Sequence, residues 1–295
     1  MMGHLHCIGK NVDFEGVRLR VSTEKPAADA FQHIAAGQSV EVTFDVAQSH
    51  NLSSGGKFDV VADGILQFAS DADTALVGSV PYTSNTLSVD VDGAEASTVR
   101  EAMQSKHTKR TNIVSCSSSR LSVTRDALSY CVSLSRNAAS AATSGSASKM
   151  NEFFKDSSSQ TRSYVASVFN AVARECGSTS GGYSDYYCYD VSGYCESNVL
   201  AYTVPSQSYM AYCDLYYNQL PTLTSSCHRQ DKATTNLHEM THLTQIAGTD
   251  DLGYGYDNIR RLSSRDSLNN ADSYAVFANS IYAGYRFNIP MELAE

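Results

Sequence analysis

At 295 residues the chain is long for one domain and comfortable for two. It carries 22 Lys and Arg against 31 Asp and Glu, a net charge of -9, which argues against nucleic acid and anionic membrane surfaces as partners. With 42% apolar residues the composition is that of a soluble globular protein, and no run approaches the roughly 18–20 apolar residues that cross a bilayer.

The first ten residues, MMGHLHCIGK, contain no apolar core of signal-peptide length. From Gln38 to Ala69, QSVEVTFDVAQSHNLSSGGKFDVVADGILQFA alternates apolar and polar residues between Gly-, Ser- and Asn-rich turns, the period of half-buried antiparallel strands. Asn51-Leu52-Ser53, inside this stretch, is an N-glycosylation sequon. Near residue 110 the pattern changes. Met150, Phe153, Phe154, Val165, Val168, Phe169 and Val172 fall at helical spacing, so a β-rich, sandwich-like front (1–110) and a mainly α back with a small β portion (111–295) are expected as two domains. Between them lies the polar SKHTKRTN. Its Lys109-Arg110 pair is a candidate cleavage site for a kexin-type processing protease, since nicking concentrates in exposed linkers.

Cys7 stands alone near the start, whereas the other seven cysteines all follow residue 110. Such clustering, with no C-x-x-C pair, predicts disulfides made in an oxidising compartment rather than a zinc ribbon. A secreted protein is therefore expected. The absence of a leader is reconciled with it if this start is not the natural one.

The stretch NLHEMTHLTQIAGTDDLGYG, residues 236–255, carries the chemistry. Leu237, Met240 and Leu243 form an apolar stripe, so His238 and His242, four apart, lie one above the other on a helix and can share one metal ion. Glu239 sits beside them, placed to take a proton from a zinc-bound water, whose pKa zinc lowers from about 15.7 to about 7. The bland alternative, two surface histidines beside an unrelated glutamate, is the weaker reading of the five residues alone, and context must decide. Gly248 suits a left-handed helix C-cap, and Asp250 or Asp251 in the following loop could supply a third ligand. The same string is also an ordinary Asp/Gly turn.

His238-Glu239-Met240-Thr241-His242 followed by Gly248-Thr249-x-Asp251-x-x-Tyr254-Gly255 resembles the deuterolysin-type fungal metallopeptidases, the aspzincins, whose pattern is HExxH with GTxDxxYG. GYCESNVLAYTVPSQ, CDLYYNQLP, CHRQDKATTNLHEMTH and NNADSYAVFANSIY extend the resemblance across the second half. It implies a zincin fold, one Zn2+ per chain held by His238, His242 and Asp251, Glu239 as general base, and Tyr254 as donor to the oxyanion. Asp272, thirty residues past His242, is the alternative ligand, or orients a ligand histidine or Tyr254 from behind. Tyr216 and Tyr217 are further site candidates by the same resemblance.

The family is made as preproproteins cut after Lys-Arg, so 1–110 is expected as a propeptide that assists folding and covers the cleft. The implied products are a monomeric secreted endopeptidase, protein substrates with a leaning to basic ones, and no nucleic-acid or membrane partner. The family pattern implies bridges Cys116–Cys188 and Cys195–Cys213, leaving Cys131–Cys176 as a pair. The family also closes with a C-terminal cysteine that pairs at the position of Cys227. This chain ends AGYRFNIPMELAE, so Cys227 is expected as the odd thiol. A lost bridge costs about 2–5 kcal/mol, so the rival expectation is a catalytically impaired, disulfide-bonded binding relative.

Overall fold

The structure, a computed structural model, describes residues 3–8, 12, 14–24, 26–70, 73–104, 113–114, 116–178 and 181–287. The first half contains β1 (Gly3–Ile8), β2 (Arg18–Val21), β3 (Gly56–Ala69), β4 (Leu76–Thr83), β5 (Leu87–Val91) and α1 (Gly93–Gln104). The second begins with β6 (Ile113–Val114), α2 (Ser118–Ser144), α3 (Ala147–Phe154), α4 (Ser159–Cys176) and β7 (Asp185–Tyr187). It continues with β8 (Val199–Val204), β9 (Tyr209–Tyr212), α5 (Asp214–Gln219), α6 (Lys232–His242), α7 (Tyr256–Ile259), α8 (Ser264–Leu268) and α9 (Ala271–Phe287). No helix among the described residues is long and apolar enough to cross a membrane. Lys109-Arg110 lies outside the described residues.

The chain divides into two compact units. The first is Met1–Val17, Glu24–Lys109 and Glu196–Asn198; the second is Arg18–Thr23, Arg110–Cys195 and Val199–Glu295. In the first, the long β3 pairs antiparallel with β1, β4 and β5. Its core is small: Phe58, Leu52, Ala47 and Ala96, with Val89, Val91 and Val99 packed around them, so α1 closes one part of a single sheet. The described residues of this unit contain no second sheet of the kind a sandwich requires. The alternating run 38–45 forms no strand, and Val40, Val42 and Phe44 are 40–57% exposed. Alternation assigns side chains to faces, but a strand also needs a partner to satisfy its backbone.

The second unit sets a five-stranded mixed sheet, in the order β2-β8-β9-β7-β6, with a helical body. β2 and β8 are antiparallel, as are β8 and β9, whereas β7 runs parallel to both β9 and β6. Serines start four of the helices, Ser263 capping α8 through the Asp266 N–H. Ser117, Ser146 and Ser158 each accept a backbone N–H from the first turn of α2, α3 and α4. The helically spaced apolar residues from Met150 to Val172 are all buried in one core. At its centre the Phe277 ring meets Phe153 and Phe154 at 5.4 Å and Phe169 at 5.7 Å between centroids. Disulfides Cys116–Cys188, Cys131–Cys176 and Cys195–Cys213 tie this unit together, and Cys227 is exposed and unbonded. Phe277→Ala should cost about 3–5 kcal/mol in denaturant unfolding followed by near-UV dichroism. The same change at Tyr130, 44% exposed, should stay within about 0.5 kcal/mol.

Candidate metal centre and active site

α6 is buried along its whole length, all 11 residues. A capping box starts it: Asp231 accepts the Thr234 backbone N–H at 2.7 Å, and the Thr234 hydroxyl oxygen accepts the Asp231 N–H at 3.1 Å. Leu237, Met240 and Leu243 are buried on the apolar stripe. The helical repeat then brings His238 Nε2 and His242 Nε2 to 3.1 Å from each other.

The chain reverses after His242. The Leu243 carbonyl accepts the amides of Ile246, Ala247 and Gly248, and Gly248 has φ +60°. The glycine is left-handed, as expected, but it closes this turn and does not cap α6, which ends six residues earlier at His242. Thr249 fastens the returning strand: its N–H donates to the Thr241 carbonyl at 3.1 Å and its hydroxyl to the Thr241 hydroxyl at 2.8 Å. Asp250 donates its N–H to the Asn269 carbonyl and accepts that of Ala271, and its carboxylate pairs with Arg18. The buried Asn270 side-chain oxygen, Oδ1, accepts the N–H groups of Leu252 and Gly253 at 2.8 and 3.0 Å. Held on both sides, the loop turns Asp251 towards the histidines. Its carboxylate lies 3.1 Å from His238 Nε2 and 3.4 Å from His242 Nε2.

His238, His242 and Asp251 offer three ligand atoms within 4.8 Å of one another, all buried. The tautomer of His242 fits a metal. Its Nδ1 lies 2.7 Å from the Thr249 carbonyl, which can only accept, so the proton sits on Nδ1 and the Nε2 lone pair faces the other two ligands. Burial pushes His242 down to about 4, keeping it neutral at physiological pH. Burial alone would raise the Asp251 carboxyl, but His242 and His238 more than offset it and hold it below the usual carboxylate range. Two imidazole nitrogens and a carboxylate make a donor set suited to catalytic zinc.

Glu239 is fully buried beside them. Burial pushes its carboxyl up to about 7, against the opposing pull of His238 and of the Thr203 hydroxyl, which donates to Oε2 at 2.6 Å. Oε1 has no hydrogen-bond partner among the described residues. Tyr254 stacks on His238, ring centroids 6.0 Å apart, and its hydroxyl donates to the Leu19 carbonyl. Asp272 stands on the other side of the His238 ring, 3.5 Å from Nδ1, and pairs with the buried Arg20. Tyr216 and Tyr217 are not gathered with these groups. Tyr216 donates to Asn236 at 3.1 Å within the core, and the Tyr217 hydroxyl pairs with Thr124 at 3.2 Å.

Sequence reasoning named Thr249 within the motif without giving it a role, and did not single out Thr203, Asn270, Arg18 or Arg20. For the arginines a signal existed: Arg18-Leu19-Arg20-Val21 alternates charge and apolar residue at the strand period. Thr203 is the odd polar residue near the end of the apolar β8, and Asn270 carries no local signal.

The family model described as Deuterolysin metalloprotease (M35) family matches residues 4–285. The chain belongs to this family. A "Neutral protease 2 homolog" of Aspergillus oryzae is 50% identical over 272 residues, 92% of this chain and 76% of its own. Another from Aspergillus flavus is 49% identical over 285 residues, 96% of this chain and 70% of its own. A zinc peptidase from Grifola frondosa has 22% identity, covers 56% of this chain and 96% of its own, and superposes with TM-score 0.43. Membership of the deuterolysin family makes the chain a zinc-dependent metalloendopeptidase.

In metal-stripped protein the Glu239 proton is retained to about pH 7, whereas an unfolded glutamate loses it near 4.5. The folded state binds more protons over that window, so Glu239 subtracts stability as pH rises through it. Glu239→Gln should therefore gain on wild type by up to about 3 kcal/mol between pH 4.5 and 7.5. Denaturation midpoints at the two pH values check this, and a constant difference would refute it.

Proposed function

We propose that the chain is a secreted zinc endopeptidase made as a latent precursor, released by cleavage after Lys109-Arg110 by a kexin-type protease. The mature enzyme is a monomer that cuts proteins and favours basic ones. One Zn2+ per chain is held by His238, His242 and Asp251. The observation carrying this reading is the buried His-His-Asp cluster beside a buried glutamate with one unengaged oxygen.

When bound, zinc supplies a Lewis acid that polarises the scissile carbonyl and brings a water proton within reach of a base near neutral pH. Glu239 Oε1 takes that proton and delivers it to the leaving amine, while Thr203 fixes Oε2. The Tyr254 phenol, kept protonated because burial raises its pKa far above the ordinary value, donates to the carbonyl oxygen as charge builds there. Asp272 orients His238 from its Nδ1 side. The chain's net charge of -9 supports the basic preference, since an acidic protein attracts basic partners. The three disulfides support an oxidising, extracellular setting.

Treated with a kexin-type protease, the protein should give a new N-terminus at Thr111 and cleave casein and histone, histone faster. A chelator should abolish the activity and zinc restore it. Glu239→Gln should lower kcat by about a thousandfold. Chelator-insensitive cleavage, or equal activity in the variant, would sink the mechanism; zinc binding without cleavage would make the chain a binding relative. Thr203→Val should lower kcat about tenfold with KM little changed, and Thr203→Ser should recover it, in steady-state kinetics.

A further inference from the structure

Residues 18–23 lie far upstream of the rest of the second unit in sequence, yet belong to it. β2 is the terminal strand of the sheet and runs antiparallel to β8, with Arg18 opposite Thr203, Leu19 opposite Tyr202 and Arg20 opposite Ala201. Thr203 is the residue that holds the general base. An extended segment added to a sheet edge is held by its main chain, with alternate side chains reading pockets.

Three contacts tie this strand to catalytic groups. The Leu19 carbonyl accepts from the Tyr254 hydroxyl, the donor assigned above to the scissile carbonyl. Arg20, only 1% exposed, pairs with Asp272 and approaches His238 Nδ1 at 2.6 Å. Arg18 pairs with Asp250, next to the ligand Asp251. Beyond the ladder, the Gln230 side chain closes a clamp: its amide donates to the Val21 carbonyl at 3.0 Å and its oxygen accepts the Thr23 N–H at 2.9 Å.

We propose that residues 18–23 are a built-in pseudosubstrate strand that occupies the peptide-binding edge of β8 and keeps the active site latent, with Arg20 as its anchor. The proposal rests on the endopeptidase reading above. An Arg–Asp pair taken out of water is stable only while both partners stay, so Arg20 gives specificity to the docking. Its presence also disturbs His238: a guanidinium can only donate, and so asks Nδ1 to accept, whereas Asp272 asks Nδ1 to donate. Departure of Arg20 leaves the Asp272–His238 pair alone, the arrangement in which Nε2 carries the lone pair for a metal. While the chain is continuous, the strand is tethered and its effective concentration is high. A cut after Arg110 makes it a separate, diluting ligand.

The test compares zinc-loaded full-length wild type, Arg20→Ala and Arg20→Lys before processing, and adds the synthetic peptide VRLRVST (residues 17–23) to the processed enzyme. Uncut Arg20→Ala should cleave casein at least tenfold faster than uncut wild type, with Arg20→Lys between them. Hydrogen exchange at the amides of 199–204 should speed up at least tenfold in Arg20→Ala. The peptide should inhibit the processed enzyme competitively, and its alanine counterpart at Arg20 should need at least tenfold more. Should Arg20→Ala fail to fold, the peptide arm decides alone. Unchanged exchange in a folded Arg20→Ala, or an active processed enzyme that ignores the peptide, overturns the proposal. If no form cleaves casein, the peptidase reading fails by itself; peptide protection of amides 199–204 in the processed protein still supports the strand's place, and its absence refutes it.

Discussion

Burying a polar helix on every side is the constraint on which the second unit depends. α6 places two imidazoles, a carboxylate, an asparagine and three threonines where water cannot reach them. Each such group costs free energy unless another part of the chain satisfies it. The surrounding structure supplies partners: Thr249 for His242 and Thr241, Thr203 for Glu239, and Asp272 for His238. The metal site is the remainder of that accounting. Nitrogen lone pairs and a carboxylate converge on one point because the other sides of the two imidazoles are claimed by Thr249 and Asp272.

Rigidity follows from how these partners are fastened. The loop bearing Asp251 is held to α6 through Thr249 and Thr241, and to the start of α9 through Asp250 and Asn270. Those helices are in turn fixed by the aromatic core around Phe277 and by the Cys131–Cys176 bridge between α2 and α4. A catalytic constellation needs this kind of support, since small displacements of the base or the ligands are expensive. The low carboxyl of Asp251 and the high one of Glu239 show what the support achieves. Both are fully buried, but only Asp251 lies against both imidazoles at hydrogen-bonding range, so the same dry environment gives one a ligand's charge and the other a base's proton affinity.

Much of this was legible in the chain. HEMTH names its own geometry because the helical repeat is fixed, and the Met150–Val172 pattern found the core by the same rule. Cys116–Cys188 and Cys195–Cys213 came from resemblance, since connectivity is not deducible from cysteine spacing, and Cys131–Cys176 was the pair left over. The front half was read less well. Its 38–45 alternation looks like a strand, yet the strands that find partners in that sheet are β1, β3, β4 and β5, with α1 in place of a second sheet. Tyr216 and Tyr217 were drawn towards the site by resemblance, but the fold spends their hydroxyls on Asn236 and Thr124.

Local rules therefore determined what repeats along one element: two histidines on a face, a buried apolar stripe, a glycine where the chain must turn left-handed. They could not determine what meets across elements. Asp251 rather than Asp250 faces the histidines because Asp250 is claimed by Asn269, Ala271 and Arg18. Asp272 stands behind His238, not before it, because α9 enters from the Nδ1 side. Arg20 reaches that carboxylate from 252 residues away through a strand pairing no window of sequence contains. Periodicity is a property of one segment, whereas the choice among competing partners belongs to the packed whole.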